Sequence, residues 1–417
     1  MAHVQTKCWL LKLATAACAT LAASPANATT EQVLASFLGK QGGDTPAAGV
    51  IEDAQGNLYG TTEQDLYNDR GFGTIYEVQG RGESAKLTTL WNFGQNKGDG
   101  KTPTAPLIAD SKGVLYGTTV GGGVLQEYGT VFTLTPPAKN GQPWTESIIY
   151  SFQVGDDVAN PIGGLTFGPN GVLYGTATSP ASGGVFMLSP PVNGGTTWTE
   201  TTLYTFQPGS DGAHPLGSLI SDASGALYGV TYEGGTAGYG TVYKLTPPAQ
   251  GQTTWTETVL YSFLGYPDGA YPNCTLAMDS AGNLYGTANQ RGLMGGGILF
   301  ELSPPAGGNG PWQEIPLYNF QADGFGPIGS TILQPDGSVL TATEYGGTNN
   351  NGAVAKLIPA NGSAAWTEQI VYAFDYSYHH RDGIQPVSII VDGTGNIYGA
   401  TAKGGKRGKG TIFEVSP

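Results

Sequence analysis

The sequence predicts an all-β fold: one seven-bladed β-propeller of four-stranded antiparallel blades, closed by its own N-terminal strand. Three observations predict it. The chain repeats itself seven times, each repeat divides into four strand-like pieces, and the chain begins with the strand that its last repeat lacks.

The repeat is read from two series of residues that keep step. A turn-and-strand element, Gly-x-Leu-Tyr-Gly, places its tyrosine or equivalent at Tyr59, Tyr116, Tyr174, Tyr228, Tyr285, Leu340 and Tyr398, at intervals of 57, 58, 54, 57, 55 and 58 residues. A strand ending in phenylalanine falls at Phe37, Phe93, Phe152, Phe206, Phe263, Phe320 and Phe374. Seven of the 14 phenylalanines occupy this one position, which composition alone would not produce. The 67 glycines and 27 prolines would suggest low complexity if scattered, but here they punctuate turns at a fixed period.

The fourth repeat shows the elements in order. Strand a covers residues 216–221, the turn Asp222-Ala223-Ser224-Gly225 leads into strand b at 226–232, and a glycine-rich loop at 233–239 precedes strand c at 240–246. Pro247-Pro248 and a polar loop then reach strand d at 255–263, whose Thr, Val, Tyr and Phe content and alternation are strand signals. Four strands cannot bury both faces of so small a sheet, and stacking seven sheets radially covers them. The recurring phenylalanine is then expected between blades, where burial contributes roughly 1.5–3 kcal/mol for each ring. The glycine after each tyrosine is expected to let neighbouring sheets approach closely.

The chain ends fix the seam. A d-type strand, residues 31–37, comes before any a strand, and a c-type strand, residues 410–417, ends the last repeat without a d strand. The N-terminal segment therefore supplies the outer strand of the last blade and removes an open edge.

The repeated block, Gly113 to Pro137 and Gly225 to Pro248 in its clearest copies, resembles the GloVer tandem repeat of bacterial "choice-of-anchor" surface proteins. That resemblance spans essentially the whole mature chain. It implies an exported bacterial repeat protein and assigns no reaction. The sequence stops at Pro417 without an anchoring tail, which favours a released protein.

Residues 1–28 read as a secretory signal: Lys7 and Lys12, an apolar run from Leu10 to Leu21, and Ala26-Asn27-Ala28 as a cleavage site. A lipoprotein signal ending at Cys18 is the rival, and the propeller domain is expected over 29–417. Cys8 and Cys18 lie in the signal, so Cys274 is left alone and reads as a small buried apolar residue. The formal charge is −14, and loss of the two signal lysines makes it more negative, opposing nucleic acid and anionic lipid as partners. No transmembrane segment, Gly-x-Ser-x-Gly elbow, His-Glu-x-x-His, phosphate loop or cysteine pair is present, so no cofactor is expected. A secreted monomer is the expectation.

Two loop families, d-to-a and b-to-c, should share one face. The former repeat an aspartate at Asp44, Asp99, Asp157, Asp211, Asp268, Asp323 and Asp382. A residue present in every repeat reads as a cap for its own turn, with a cation ring as the alternative. Departures from the repeat are the better site candidates. Before blade 7 stand Tyr378, His379, His380, Arg381 and Asp382, and its b-c loop carries Lys403, Lys406, Arg407 and Lys409. Together they form a cationic, aromatic-flanked patch suited to a uronate, sulfate or phosphate, or else a solvated loop pair. Further departures on that face are Glu63 to Arg70, Glu127-Tyr128, Tyr232-Glu233, His214, Arg291 and Glu344-Tyr345. Tyrosines beside carboxylates suit sugar stacking and hydroxyl recognition, or are ordinary loop decoration. The near-uniform repeats favour a non-enzymatic binding module for glycan or protein. The alternatives are a lyase or hydrolase acting on an anionic extracellular polysaccharide and a purely structural envelope protein.

Overall fold

The computed structural model describes residues 30–39, 43–64, 72–124, 128–139, 141–153, 155, 158–192, 195–207, 209–308, 310–321, 324–347, 349–360, 365–376 and 382–416. Seven antiparallel sheets form a β-propeller with essentially no helix. Blade 4 is typical, with strands a to d at Ala213–Ser221, Leu227–Glu233, Thr241–Thr246 and Thr256–Ser262, hydrogen-bonded in that order. In blade 7 the strands Gly383–Val391, Ile397–Gly404 and Thr411–Ser416 are completed by Thr30–Ser36, in register from Thr30 opposite Ser416 to Ser36 opposite Thr411. The seam predicted from the chain ends is therefore the one formed. In every blade strand c pairs with strand d through a bulge three residues before the phenylalanine, at Leu34, Leu90, Ile149, Leu203, Leu260, Leu317 and Val371. Each bulge adds local twist to the outer strand.

The seven phenylalanines are buried to 1 % exposure or less. Six meet a ring on strand c of the following blade, as in Phe206 on Tyr243 at 5.0 Å and Phe374 on Phe413 at 4.9 Å, edge-on in each case. The exception is Phe320, which packs in one cluster with Ala355.

The glycine after each tyrosine has a different role from the one expected. It lies directly opposite the strand-c ring of its own sheet, as Gly175 opposite Phe186 and Gly399 opposite Phe413. A Cβ on Gly175 would lie 2.4 Å from Cζ of Phe186, so the hydrogen atom is what lets the ring lie flat on the strand. Blade 6 reverses both members of the pair, with Thr341 opposite Ala355. The tyrosines close the a-b turns on the other face: Tyr59, Tyr228 and Tyr398 donate to Asp53, Asp222 and Asp392 at 3.0, 2.9 and 3.2 Å.

A second interlock recurs at all seven blade junctions. The residue before the first proline of strand a donates its N–H to the carbonyl preceding the first glycine of strand c in the previous blade. The seven pairs run from Thr45 to Lys409, Thr102 to Phe72, Asn160 to Tyr128, His214 to Ser182, Tyr271 to Tyr239, Gly326 to Gly296 and Gln385 to Asn351, all within 2.8–3.0 Å. The proline then rests on that glycine, whose added Cβ would lie 2.5–2.9 Å from the proline Cδ. Making this bond holds the residue before proline at positive φ, between 54° and 59° in the six that are not glycine. Each such residue costs on the order of 1 kcal/mol or more in backbone strain.

The junction of blades 7 and 1 is stitched differently. At three other junctions a tryptophan near the start of strand d lies on the preceding blade's turn tyrosine: Trp144 on Tyr59 at 5.9 Å, Trp255 on Tyr174 at 6.1 Å and Trp312 on Tyr228 at 6.4 Å. Here Arg81 lies 4.5 Å over the Tyr398 ring, donates to its hydroxyl at 3.1 Å and pairs with Glu52 at 2.8 Å. At the other end of the seam Lys409 Nζ lies 3.0 Å from Asp44 Oδ2, and the Asp44 side chain is fully buried.

Candidate functional site at the mouth of the central channel

Inner strands from all seven blades enclose a channel of about 520 Å³, lined by Val50, Pro106, Gly163, Ser218, Thr275, Ser330 and Ser388, one from each blade. Small residues are needed at its waist because adjacent inner strands nearly touch. Cys274–Thr275 pairs in parallel with Gly329–Ser330, and Ser330 and Ser388 hydroxyls lie 3.0 Å apart. Cys274 is buried, free, and accepts the Thr287 N–H at 3.3 Å, in keeping with a small core residue.

The strained residue before each proline stands at the mouth of this channel. In blades 3, 5 and 7 it meets the residue at the end of strand b in the preceding blade. Asn160 donates to the Val120 carbonyl at 2.9 Å, Gln385 donates to Glu344 at 3.3 Å, and Tyr271 stacks on Tyr232 at 5.0 Å with 29° between the rings. One backbone device thus presents side chains as different as threonine, asparagine, histidine, tyrosine and glutamine at one position of the repeat.

The chemistry is gathered in blades 4 to 6. Tyr239 sets its edge on Tyr271 at 5.7 Å, and Arg291 lies 4.2 Å over the Tyr239 ring. His214 Nδ1 lies 3.4 Å from Glu233, and Phe325 stacks on Tyr345 at 5.2 Å. Burial first, then Tyr271, Glu233 and Glu344, hold the Tyr232 phenol above its usual range, so it stays neutral and able to donate. Glu63 also lines the channel. In blades 2 and 3 the equivalent positions are the small residues Thr102, Val120, Asn160 and Thr178, so the mouth is polarised toward one side.

The described bases of the two blade 7 loops are adjacent. Gly383 pairs with Gly404, Ile384 with Lys403, and the Gly405 N–H donates to the Asp382 carbonyl at 2.9 Å. Lys403, Lys406 and Arg407 are exposed. Asp382 is 3 % exposed and accepts the Tyr372 hydroxyl and the Asp375 N–H, while Lys409 is held by Asp44. Tyr378, His379, His380 and Arg381 lie outside the described residues, as do Glu127 and 65–70.

The repeated aspartates face inward to their own loops, as a capping role requires. Asp99 accepts the Gln95 N–H at 3.1 Å, Asp268 the Leu264 N–H at 3.1 Å, and Asp211 the Tyr204 hydroxyl at 2.9 Å. Asp157 and Asp323 lie outside the described residues. Among the described residues no group of three or more His, Cys, Asp or Glu could hold a metal ion, and no helix is long and apolar enough to cross a membrane.

The mouth residues are scattered over several repeats, so no single motif in the sequence marks them. The signal that could have found them is the X-Pro pair opening strand a of each repeat, whose first member changes while its frame does not.

The Gloeobacter/Verrucomicrobia repeat family matches residues 19–187 and 179–413, and the chain belongs to that family. No curated protein sequence matches it. Among solved structures, PorZ, a surface component of the type-IX secretion system of Porphyromonas gingivalis, aligns with TM-score 0.57 at 14% identity over 91% of this chain and 47% of its own. Aldose sugar dehydrogenase from Streptomyces coelicolor aligns with TM-score 0.47 at 16% identity over 94% of this chain and 99% of its own. At these identities the likeness is one of fold.

Proposed function

We propose that this Gloeobacter/Verrucomicrobia repeat protein is an exported binding module that takes a glycan at the channel mouth without turning it over. The observation that carries this reading is the Tyr232–Tyr271 stack, half-buried beside Glu233 and Glu344 and built on a strained backbone. A sugar offers a C–H face and a rim of hydroxyls. Phenol rings receive the first, while carboxylates, the Gln385 amide and His214 bond the second. Lys403, Lys406 and Arg407 on blade 7 supply a second contact for uronate or sulfate groups, together with Tyr378, His379, His380 and Arg381.

Retention on an array of neutral, uronate-bearing and sulfated polysaccharides tests the reading. A Tyr232→Ala/Tyr271→Ala variant should lose retention at an unchanged melting temperature. Retention that survives this variant and disappears in Lys403→Ala/Lys406→Ala/Arg407→Ala would move the site to blade 7. New reducing ends or unsaturated products would identify an enzyme instead.

A further inference from the structure

Among the described residues, four blade interfaces hold a carboxyl pair with no basic side chain in ion-pair contact, its glutamate half-buried in each. One member is a glutamate on strand d, six residues before the phenylalanine: Glu31, Glu146, Glu257 and Glu314. The other is the aspartate of the loop entering the same blade, respectively Asp382, Asp99, Asp211 and Asp268. The Oε1 atom of every one of these glutamates is shielded from solvent and has no hydrogen-bond partner. At the blade 2 interface Oδ1 of Asp99, a residue 6 % exposed, is shielded and unpartnered as well.

At three of these pairs the other titratable groups facing them are phenols, while the position facing the Glu146–Asp99 pair is Trp91. Tyr204 and Tyr243 face Glu257, Tyr261 faces Glu314, and Tyr372 faces Glu31. Tyr204, Tyr261 and Tyr372 donate to Asp211, Asp268 and Asp382, which leaves the aspartate satisfied and the glutamate as the group that must change. Among the described residues none of these eight acids has an ion pair. The contrast is the seam, where Leu87 replaces the glutamate, Ala35 replaces the tyrosine, and Asp44 receives Lys409.

Two carboxylates shielded in one interface oppose each other's ionisation. We infer that each of the four glutamates carries a proton at mildly acidic pH and that losing it loosens the blade junctions, making the ring a pH-sensitive closure. Burial first, then the facing aspartate, push Glu146, Glu257 and Glu314 up to about 7 and Glu31 up to about 8. These values exceed the unfolded carboxyl value of 4.5, so the native state binds more protons than the unfolded chain. The associated stability is complete below about 4.5, falls as pH rises, and is gone above about 8. The aspartates Asp99, Asp211, Asp268 and Asp382 each lie three residues before a mouth residue, Thr102, His214, Tyr271 and Gln385. The titrating pairs therefore act on the loops that present the mouth.

The full-length protein melted at pH 5.5 and 8.5 tests this. The wild type should melt several degrees lower at pH 8.5, and Glu31→Gln/Glu146→Gln/Glu257→Gln/Glu314→Gln should remove most of that drop. The same drop in the variant would overturn the inference. Should the variant not fold, wild-type protein unfolded in urea at pH 6.5 should release about three protons, measured with an indicator dye, and a release near zero would overturn it. Stabilisation by calcium at pH 8.5, reversed by chelation and equal to that of acid, would assign the pairs to a cation and overturn it too.

Discussion

Lys409 Nζ lies 3.0 Å from Oδ2 of the fully buried Asp44 and ties the last blade to the first. Lys409→Ala leaves a shielded carboxylate without its cation, which costs roughly 1–3 kcal/mol, because the lysine itself is partly exposed. The melting temperature should fall more than for Lys406→Ala, which removes only an exposed charge. Equal melting temperatures for the two variants would show the seam pair to be inert.

The outer strand of blade 7 is non-covalent with its neighbours on one edge and covers Ile412 and Phe413. Deleting residues 30–38 should uncover that edge and produce a large loss of stability with a broadened transition. An unchanged melting curve would refute the closure.

The Gly175 and Phe186 pair can be exchanged for the pair that blade 6 uses. Gly175→Thr drives a side chain into the ring, and Phe186→Ala removes roughly 3–5 kcal/mol of packing. The double variant, copying Thr341 and Ala355, should be more stable than the sum of the single losses, with a coupling of about 1 kcal/mol or more. Additive losses in denaturant titrations would mean that the ring-on-glycine contact is not the constraint.

Asp392 accepts the Thr394 hydroxyl at 2.8 Å and N–H groups from Thr394 and Asn396 at 2.8 and 2.9 Å, and these hydrogen bonds hold its carboxyl down to about 2 against the opposing effect of burial. The stability it contributes is present above its unfolded value of 3.8 and lost as pH falls toward 2. Asp392→Ala should cost roughly 1–2 kcal/mol at pH 6 and much less near pH 2, read from urea midpoints at the two pH values. A constant difference would contradict the turn-capping role.

At the mouth, Tyr271→Ala should weaken glycan retention about tenfold or more, a loss of about 1.4 kcal/mol, while Thr102→Ala should leave it unchanged. Isothermal titration with the best-retained oligosaccharide distinguishes a polarised mouth from a seven-fold symmetric one, for which both variants would weaken binding alike.

Much of the architecture was legible because the repeat writes it seven times. Phe37 through Phe374 marked the blade interfaces, and the unmatched strands at the two chain ends marked the seam. The glycine after each tyrosine was legible as a close approach but not as to which strand approached. A sequence shows that a Cβ is missing without showing what lies in its place. The blade 7 cations were visible as charges, yet the engagement of Lys409 with Asp44 was not, since those residues lie at opposite ends of the chain. The mouth was hidden for a further reason. A residue before proline is expected to be extended, and only a hydrogen bond to the preceding blade holds His214 and Tyr271 at positive φ.

Alone, the sequence determined the blade count, the strand order within each blade, the inter-blade phenylalanines and the closure by Thr30–Ser36. Those follow from local pattern and period, which any stretch of chain carries in itself. Tertiary structure decided that Tyr232 meets Tyr271, that Glu257 faces Asp211, and that Lys409 pairs with the buried Asp44 at the seam. The Tyr232–Tyr271 and Asp44–Lys409 pairs join side chains from different blades. Their meeting depends on how far the ring turns from one blade to the next, a quantity that no single repeat contains.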